Sequence, residues 1–248
     1  MLDFFKNRRR RKLREQPFPE SWREIIALNA PLCAELHDAR RTELDDLVQI
    51  FIAEKNFEGC GGLDLTDEMS VTIAAQACLL LLGRETDIYP RMQSVLVYPT
   101  TFVPRMVEEN DDGLVEEYDD PLDGEAWGTG AVILAWDDVL HAAQGLRDGY
   151  NVVIHEFAHQ LDLETGDADG MPRLHDGVDP RQWAETFGRE YERHCRDVDR
   201  RKHTLLDDYG ADDPAEFFAV VVENYFVRPE ALARRHAELT ARLREFFG

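Results

Sequence analysis

The chain has 248 residues, of which 44% are hydrophobic, which is enough apolar material for one substantial core. Its formal net charge is −22, and because residues 1–14 carry +6, residues 15–248 carry −28. So acidic a body repels phosphate backbones, which argues against nucleic acid as a partner. The longest apolar run, Ile73–Leu82, is much shorter than the ~20 residues of a membrane span. We therefore expect no stable membrane insertion.

The cysteines indicate a reducing compartment. They are widely spaced and form no Cys-x-x-Cys pair, so neither a disulfide framework nor a thiolate zinc site is indicated. The basic start of the chain is followed by Glu15-Gln16-Pro17, and not by the apolar core of a signal peptide. These observations predict a cytoplasmic protein.

The basic amino end is set apart from the rest of the chain. We divide the sequence into a basic N-terminal segment, residues 1–16, and a single domain, residues 17–248, whose first part is helical. Such a basic end is most often a solvated helix start or a disordered tail. The alternatives are contact with anionic lipid, with RNA or with the protein's own acidic surface.

Two helical regions are predicted next. Residues 20–56 read as helical, because apolar residues recur at i, i+3, i+4 and i+7 from Leu44 to Phe51, with Thr42 as the expected cap. A strongly apolar helix is then predicted to start at Thr66 and to end at Gly83.

The middle of the chain carries the predicted strands. Ser94–Tyr98 is a short strand, and the acidic stretch Glu108–Glu125 is expected to be a solvated loop. Gly130–Trp136 reads as a second strand, followed by a helix over Asp137–Leu146. Within this second strand, Ala131–Ala135 is a candidate edge strand that pairs with an extended peptide substrate. An ordinary buried strand is an equally good interpretation.

The run Val152–Leu161 contains His155-Glu156-Phe157-Ala158-His159 between apolar flanks. Two histidines four apart lie on one face of a helix, where both ring nitrogens can reach one zinc ion. Glu156 can then take a proton from a metal-bound water, which is the chemistry of a zinc hydrolase. The alternative, two hydrogen-bonded core histidines, is less favoured because buried histidines and a carboxylate together require partners.

A third ligand has to come from elsewhere. Asp162 and Thr165 stand where a metzincin has glycine and histidine, so that class is excluded. The downstream helix predicted over Asp213–Phe226 places Glu216 and Glu223 seven residues apart on one face, and either can reach inward. From spacing alone, Glu216 is as well explained by a capping box with the first residue of that helix as by a metal ligand.

Other side chains have weaker assignments. Asp162 is a candidate acceptor for the distal N–H of a ligand histidine, although a helix-end role is favoured. Tyr209 is a candidate oxyanion donor, and from spacing alone a surface-turn tyrosine is the favoured interpretation. We expect most of the histidines in polar surroundings to lie at the surface: His175, His194, His203 and His236.

The segments HEFAHQLD and DYGADDPAEFFAVVVENYF resemble the Mlc titration factor A family of bacterial zinc-dependent peptidases, and the similarity extends over nearly the whole chain. The family is of the gluzincin type, similar to the catalytic domain of anthrax lethal factor. The resemblance implies one Zn²⁺ per chain held by His155, His159 and Glu216, with Glu156 as the catalytic base. It also places Tyr209 near the metal.

The resemblance further implies an α+β fold, a zincin-like metallopeptidase core with a helical N-terminal part. It implies a peptide substrate and aminopeptidase-type cleavage. Family members are linked to binding the glucose repressor Mlc, so a transcriptional repressor is a second candidate partner. The alternative function is a non-catalytic zinc-containing protein that sequesters a repressor.

Overall fold

The computed structural model describes residues 2–84, 87–100, 105–109, 115–119, 130–144 and 149–248. The helices are α1 (Leu2–Arg14), α2 (Glu20–Asn29), α3 (Pro31–Ala34), α4 (Asp38–Glu54), α5 (Asp67–Leu79), α6 (Trp136–Gln144), α7 (Val152–Asp162), α8 (Pro180–Asp199), α9 (Pro214–Val227), α10 (Pro229–Arg235) and α11 (Ala237–Phe247). The strands are β1 (Asn56–Gly59), β2 (Ser94–Tyr98), β3 (Arg105–Glu109), β4 (Val115–Asp119) and β5 (Ala131–Ala135). Short 3-10 turns cover Leu163–Thr165 and Asp208–Ala211. The predicted α+β class is confirmed.

The parallel sheet has the strand order β1-β2-β5. Ser94 pairs with Asn56 on one side and with Ala131 on the other, so β2 lies in the middle. Exposure alternates along β2 and β5, as expected for strands with one face on the core. Among the described strands β5 pairs with β2 alone, so one edge of β5 has no neighbouring described strand.

A two-stranded antiparallel sheet, β3 with β4, replaces part of the expected acidic loop. Arg105 pairs with Asp119, and Glu109 pairs with Val115. The loop prediction is therefore wrong for residues 108–109 and 115–119. Residues 110–114 and 120–125 of that stretch lie outside the described part of the chain.

The N-terminal part is helical, with breaks that the sequence pattern did not reveal. Thr42 is not a cap, since α4 already begins at Asp38 and the Thr42 hydroxyl donates to the Asp38 carbonyl at 3.0 Å. Thr66 does cap α5, because its hydroxyl oxygen accepts from the backbone N–H of Met69 at 3.3 Å. That helix ends at Leu79, four residues before the predicted end at Gly83.

Three helices, α5, α7 and α9, form the interior. Every residue of α5 from Met69 onward is buried, and so is every residue of α9 from Ala215 to Asn224. Helix α7 packs between them and is buried from Val153 to Asp162, except at Glu156. The helix with the two histidines therefore lies inside the molecule, and its one half-exposed position in that stretch is the glutamate between them.

In the described part of the chain, no helix combines the length and the hydropathy that crossing a bilayer requires.

Candidate metal centre

The start of α7 fixes the positions of the two histidines. Asn151 caps the helix, because its side-chain oxygen accepts from the backbone N–H of Ile154 at 3.0 Å. One turn further, the rings of His155 and His159 approach each other with centroids 4.8 Å apart. Their Nε2 atoms lie 3.1 Å apart. The i, i+4 spacing thus brings both ring nitrogens to one point.

Helix α9 supplies a carboxylate to the same point. Asp213 caps this helix with its own side chain, accepting from the backbone N–H groups of Ala215 at 2.7 Å and Glu216 at 2.9 Å. The Glu216 carboxylate is directed at the histidines instead. Its Oε2 lies 3.0 Å from Nε2 of His155 and 3.5 Å from Nε2 of His159.

The three side chains fit a bound cation. The distances between their ligand atoms, 3.0, 3.1 and 3.5 Å, bracket the value of about 3.4 Å that tetrahedral bonds of ~2.1 Å require. The exposed fractions of His155, His159 and Glu216 are 9, 0 and 4%. Imidazole nitrogen and carboxylate oxygen are ligands that zinc accepts, and burying them together without a cation is costly. The ligand atoms of these three side chains all lie within 4.8 Å of one another.

The ionisation of the trio follows from its contacts. Burial alone would raise the pKa of Glu216, but hydrogen bonding with His155 and then His159 outweighs it and lowers that pKa to about 2. Burial lowers the pKa of His159. Burial also disfavours the charged form of His155, yet the hydrogen bonds with Glu216 and Glu223 raise its pKa well above the ordinary value.

A chain of buried hydrogen bonds orients His155 from behind. Its Nδ1 lies 2.7 Å from Oε1 of Glu223, and the other oxygen of Glu223 accepts from the backbone N–H of Asn151 at 2.6 Å. The Asn151 side-chain amide donates to the side-chain oxygen Oε1 of Gln76, on α5, at 2.8 Å. The exposed fractions of Gln76, Asn151 and Glu223 are 3, 1 and 4%, so this series of hydrogen bonds is shielded from solvent. A carboxylate on the distal ring nitrogen of a ligand histidine fixes its tautomer.

Glu156 and Tyr209 border the trio. Glu156 lies between the two histidines in α7, and its charge contributes to raising the pKa of His155. The ring of Tyr209 lies 6.0 Å from that of His155, measured between centroids. Tyr209 is also 37% exposed, in a 3-10 turn that the Asp207 side chain caps. The structure therefore places Tyr209 at the surface and beside a candidate ligand at once.

Asp162 has a different partner from the one considered above. Its carboxylate accepts from the backbone N–H of Gly170 at 2.7 Å. Burial raises the pKa of Asp162 to about 7, although the Gly170 N–H acts in the opposite direction. The carboxylate found on the distal ring nitrogen of His155, Nδ1, is that of Glu223.

Gly170 connects this region to the third ligand. It has a φ of +77°, and a Cβ there would lie 2.6 Å from the carbonyl oxygen of Pro214. Its own carbonyl accepts from the indole N–H of Trp183 at 3.2 Å. The loop after α7 is thus fixed to α8 and to the first residue of α9, two residues before Glu216.

Sequence reasoning missed two features of the site. The roles of Asn151 and Gln76 depend on contacts between distant helices, although the position of Asn151 just before an apolar helix was a usable capping signal. His194 is one of four histidines of which most are expected at the surface, but it is 4% exposed and contacts the Asp207 carbonyl at 2.9 Å. It therefore helps to hold the turn that carries Tyr209.

Two histidines and a glutamate that converge from two buried helices of an α+β fold form a candidate metal site, with ligand types that metallopeptidases use. Residues 4–248 match the family described as glucose-regulated metallo-peptidase M90, and the chain belongs to that family. The predicted family is thereby confirmed.

Curated relatives agree with this membership. The chain is 38% identical over 240 residues to the Synechocystis sp. protein slr2042, covering 96% of this chain and 87% of the relative. It is 32% identical over 239 residues to Mlc titration factor A of Cronobacter sakazakii, covering 93% and 86% of the two chains. It is 31% identical over 248 residues to Mlc titration factor A of Escherichia fergusonii, covering 96% and 89%.

Proposed function

We propose that the protein is a zinc-dependent peptidase of the gluzincin type, with one Zn²⁺ per chain held by His155, His159 and Glu216. The observation that carries the proposal is the meeting of two Nε2 atoms and one carboxylate oxygen within 3.0 to 3.5 Å of one another in the interior. Membership of a metallopeptidase family supports it.

Zinc bound there would supply Lewis acidity, polarising a carbonyl and lowering the pKa of a bound water toward ~7. Glu156 accepts the proton of the attacking water and then donates it to the leaving amine, which is the role its half-exposed position between the two histidines suits. The hydroxyl of Tyr209 donates a hydrogen bond to the oxygen on which negative charge develops. Glu223 keeps Nδ1 of His155 protonated, so that Nε2 stays available as a ligand.

The proposed substrate is a peptide, cleaved in the manner of an aminopeptidase. The edge of β5 can pair with an extended chain through its backbone N–H and C=O groups, because among the described strands only β2 pairs with β5 and it occupies the other edge. The proposed compartment is the cytoplasm, which the free state of Cys33, Cys60, Cys78 and Cys195 supports.

The test is Glu156→Gln, assayed on a peptide library with free and with blocked amino termini. We expect unchanged zinc content and a loss of turnover on the order of 100- to 10,000-fold, as removal of a general base gives. Glu185→Gln, which removes the same charge from the exposed side of α8, should retain full activity. Normal hydrolysis by Glu156→Gln would contradict the assigned base, and cleavage of blocked peptides alone would contradict aminopeptidase action.

A second function, binding of a transcriptional repressor, is supported by the name Mlc titration factor A that the relatives carry. If the two functions are separable, Glu156→Gln should capture purified Mlc as well as the parent does. Failure of both proteins to bind Mlc would contradict this second function and leave the peptidase proposal intact.

A further inference from the structure

Helix α1 has two faces with opposite surroundings. The residues of one face, spaced at i, i+4 and i+7, are half-buried against the domain: Lys6, Arg10 and Leu13. The residues of the opposite face have the same spacing and are exposed: Phe4, Arg8 and Arg11. Phe5 and Lys12 flank this second face and are exposed too. We call these five exposed residues the outer face of α1.

The inner face is held by the domain's own acidic groups. The Arg10 guanidinium donates to both carboxylate oxygens of Glu54, at 2.8 and 2.6 Å. Asp87 lies 2.6 Å from the same guanidinium and 2.5 Å from Nζ of Lys6. Together with the packing of Leu13 on the core, these contacts fix which side of α1 is turned away from the domain.

The outer face combines aromatic rings with cations. Phe4 is 66% exposed and Phe5 is 60% exposed, and their rings contact each other edge to face. None of the ion pairs found in the described residues involves Arg8, Arg11 or Lys12. Residues 4–14 contain no acidic residue at all. A helix that only needed to be solvated would not require two adjacent phenyl rings in water.

From this arrangement we propose that the outer face of α1 docks on an anionic lipid surface. The three cations complement the charge of the lipid headgroups, and the two phenyl rings enter the boundary between headgroups and acyl chains. The acidic body does not prevent this contact where α1 lies between it and the bilayer. A helix is about 10 Å across, whereas charges are screened over ~8 Å at physiological salt.

The rings distinguish lipid from other polyanions. A purely electrostatic partner, such as RNA or an acidic protein segment, would be held by the cations and would gain less from neighbouring phenyl groups. Lipid binding needs both components, since neither three cations nor a few apolar groups alone give firm attachment. This proposal does not depend on the proposed peptidase activity.

The experiment is co-sedimentation of the full-length protein with vesicles. One set contains phosphatidylcholine alone, and the other contains equal parts of phosphatidylcholine and phosphatidylglycerol. Three variants are compared with the parent: Arg8→Gln/Arg11→Gln/Lys12→Gln, Phe4→Ser/Phe5→Ser, and the control Arg173→Gln/Arg234→Gln/Arg235→Gln. The control removes the same charge from exposed sites elsewhere on the chain.

We expect the parent and the control to sediment with the anionic vesicles only, and less so as salt rises. The loss of three outer-face cations should lower the partition coefficient on the order of 100-fold, since each contributes roughly a fivefold factor. The Phe4→Ser/Phe5→Ser variant should also lose binding at unchanged charge. Thermal unfolding should be unaltered in both variants, because neither changes an inner-face contact.

Three results would overturn the proposal. They are no sedimentation of the parent with anionic vesicles at low salt, full binding by the Phe4→Ser/Phe5→Ser variant, or an equal loss in the charge-matched control. Tighter binding of the parent to single-stranded RNA than to vesicles would likewise assign the outer face to a different partner. Glu156→Gln should sediment as the parent does, which separates this result from the fate of the peptidase proposal.

Discussion

A carboxylate oxygen of Glu223 lies 2.7 Å from Nδ1 of His155, on the side of the ring opposite to the candidate metal centre. Because a carboxylate only accepts hydrogen bonds, this contact keeps the proton of a neutral His155 on Nδ1 and the lone pair on Nε2. The same carboxylate accepts from the backbone N–H of Asn151, at the start of the helix that carries both histidines. One side chain therefore sets the position and the tautomer of a candidate ligand.

Glu223→Gln should weaken zinc binding. His155 and Asn151 contact different carboxylate oxygens of Glu223, so the amide of glutamine presents its NH2 group to one of the two donors and that bond is lost. We expect the Kd for zinc to rise roughly 10- to 100-fold, as for other changes behind a ligand histidine. Competition with a chromogenic chelator measures it.

The matched control is Glu190→Gln. Glu190 on α8 pairs with His236 at 2.9 Å, and this second histidine–glutamate pair is not part of the candidate metal centre. Equal zinc affinity in Glu223→Gln and Glu190→Gln would show that the buried pair does not support the ligand.

Tyr209→Phe should lower turnover while zinc affinity stays the same. The phenol ring is 6.0 Å from the His155 ring but is not among the three converging ligands, so its proposed effect is confined to the transition state. Removing one oxyanion donor costs ~100- to 1,000-fold in kcat. Steady-state kinetics with zinc content measured in parallel would reveal it, and an unchanged kcat would return Tyr209 to the role of a surface-turn residue.

Gly170→Ala should destabilise the protein and disturb the centre together. The φ of +77° disfavours any side chain, and the new Cβ would meet the Pro214 carbonyl at 2.6 Å. We expect a loss of roughly 1–3 kcal/mol in the free energy of unfolding. Zinc binding should weaken too, because Glu216 follows Pro214 by two residues.

Gly188→Ala provides the comparison for that change. Gly188 lies inside α8 with open space around its Cα, so alanine there should stabilise by about 0.5–1 kcal/mol. Similar chemical denaturation curves for the two variants would contradict the tight contact at Gly170.

Asp162→Asn should remove a pH dependence of stability. Burial raises the pKa of Asp162 from 3.8 to about 7, so between about pH 4 and pH 7 the unfolded chain releases this proton and the folded protein retains it. The unfolded state is favoured progressively as pH rises through that window, and the effect is constant above it. Asparagine keeps an acceptor for the Gly170 N–H without titrating.

The measurement is urea denaturation of Asp162→Asn and the parent from pH 4 to pH 8. The stability of the parent should fall relative to the variant up to about pH 7 and then run parallel to it. Parallel curves throughout would show that the pKa of Asp162 is the same in the folded and unfolded states.

The parts of the site that could be predicted from sequence are those set by a single helix. His155 and His159 lie on one face of their helix because an α-helix has 3.6 residues per turn, and the apolar residues on either side identify the helix as buried. Glu216 was ambiguous because Asp213 three residues earlier suggested a capping box. The structure separates the two roles, since Asp213 caps α9 with its own carboxylate.

Contacts between helices could not be predicted in the same way. The spacing allows either Glu216 or Glu223 to reach inward, but the pairing of Glu223 with His155 joins residues 68 positions apart. His194 differs from the surface position expected for most histidines in polar surroundings, because its charged neighbours in α8 mark the solvent side of an amphipathic helix while its own position faces the interior. The prediction for Thr42 was wrong because a threonine can stand inside a helix as well as at its start. The Thr42 hydroxyl donates to the Asp38 carbonyl of the preceding turn, and the sequence alone does not distinguish this position from a cap.

The candidate ligands, His155, His159 and Glu216, belong to α7 and α9, which are separated along the chain by the whole of α8. A cation bound by both helices would link two segments that lie far apart along the chain. Loss of the ion would then loosen the interior as well as stop catalysis, and chelation should make the folded protein more susceptible to proteolysis.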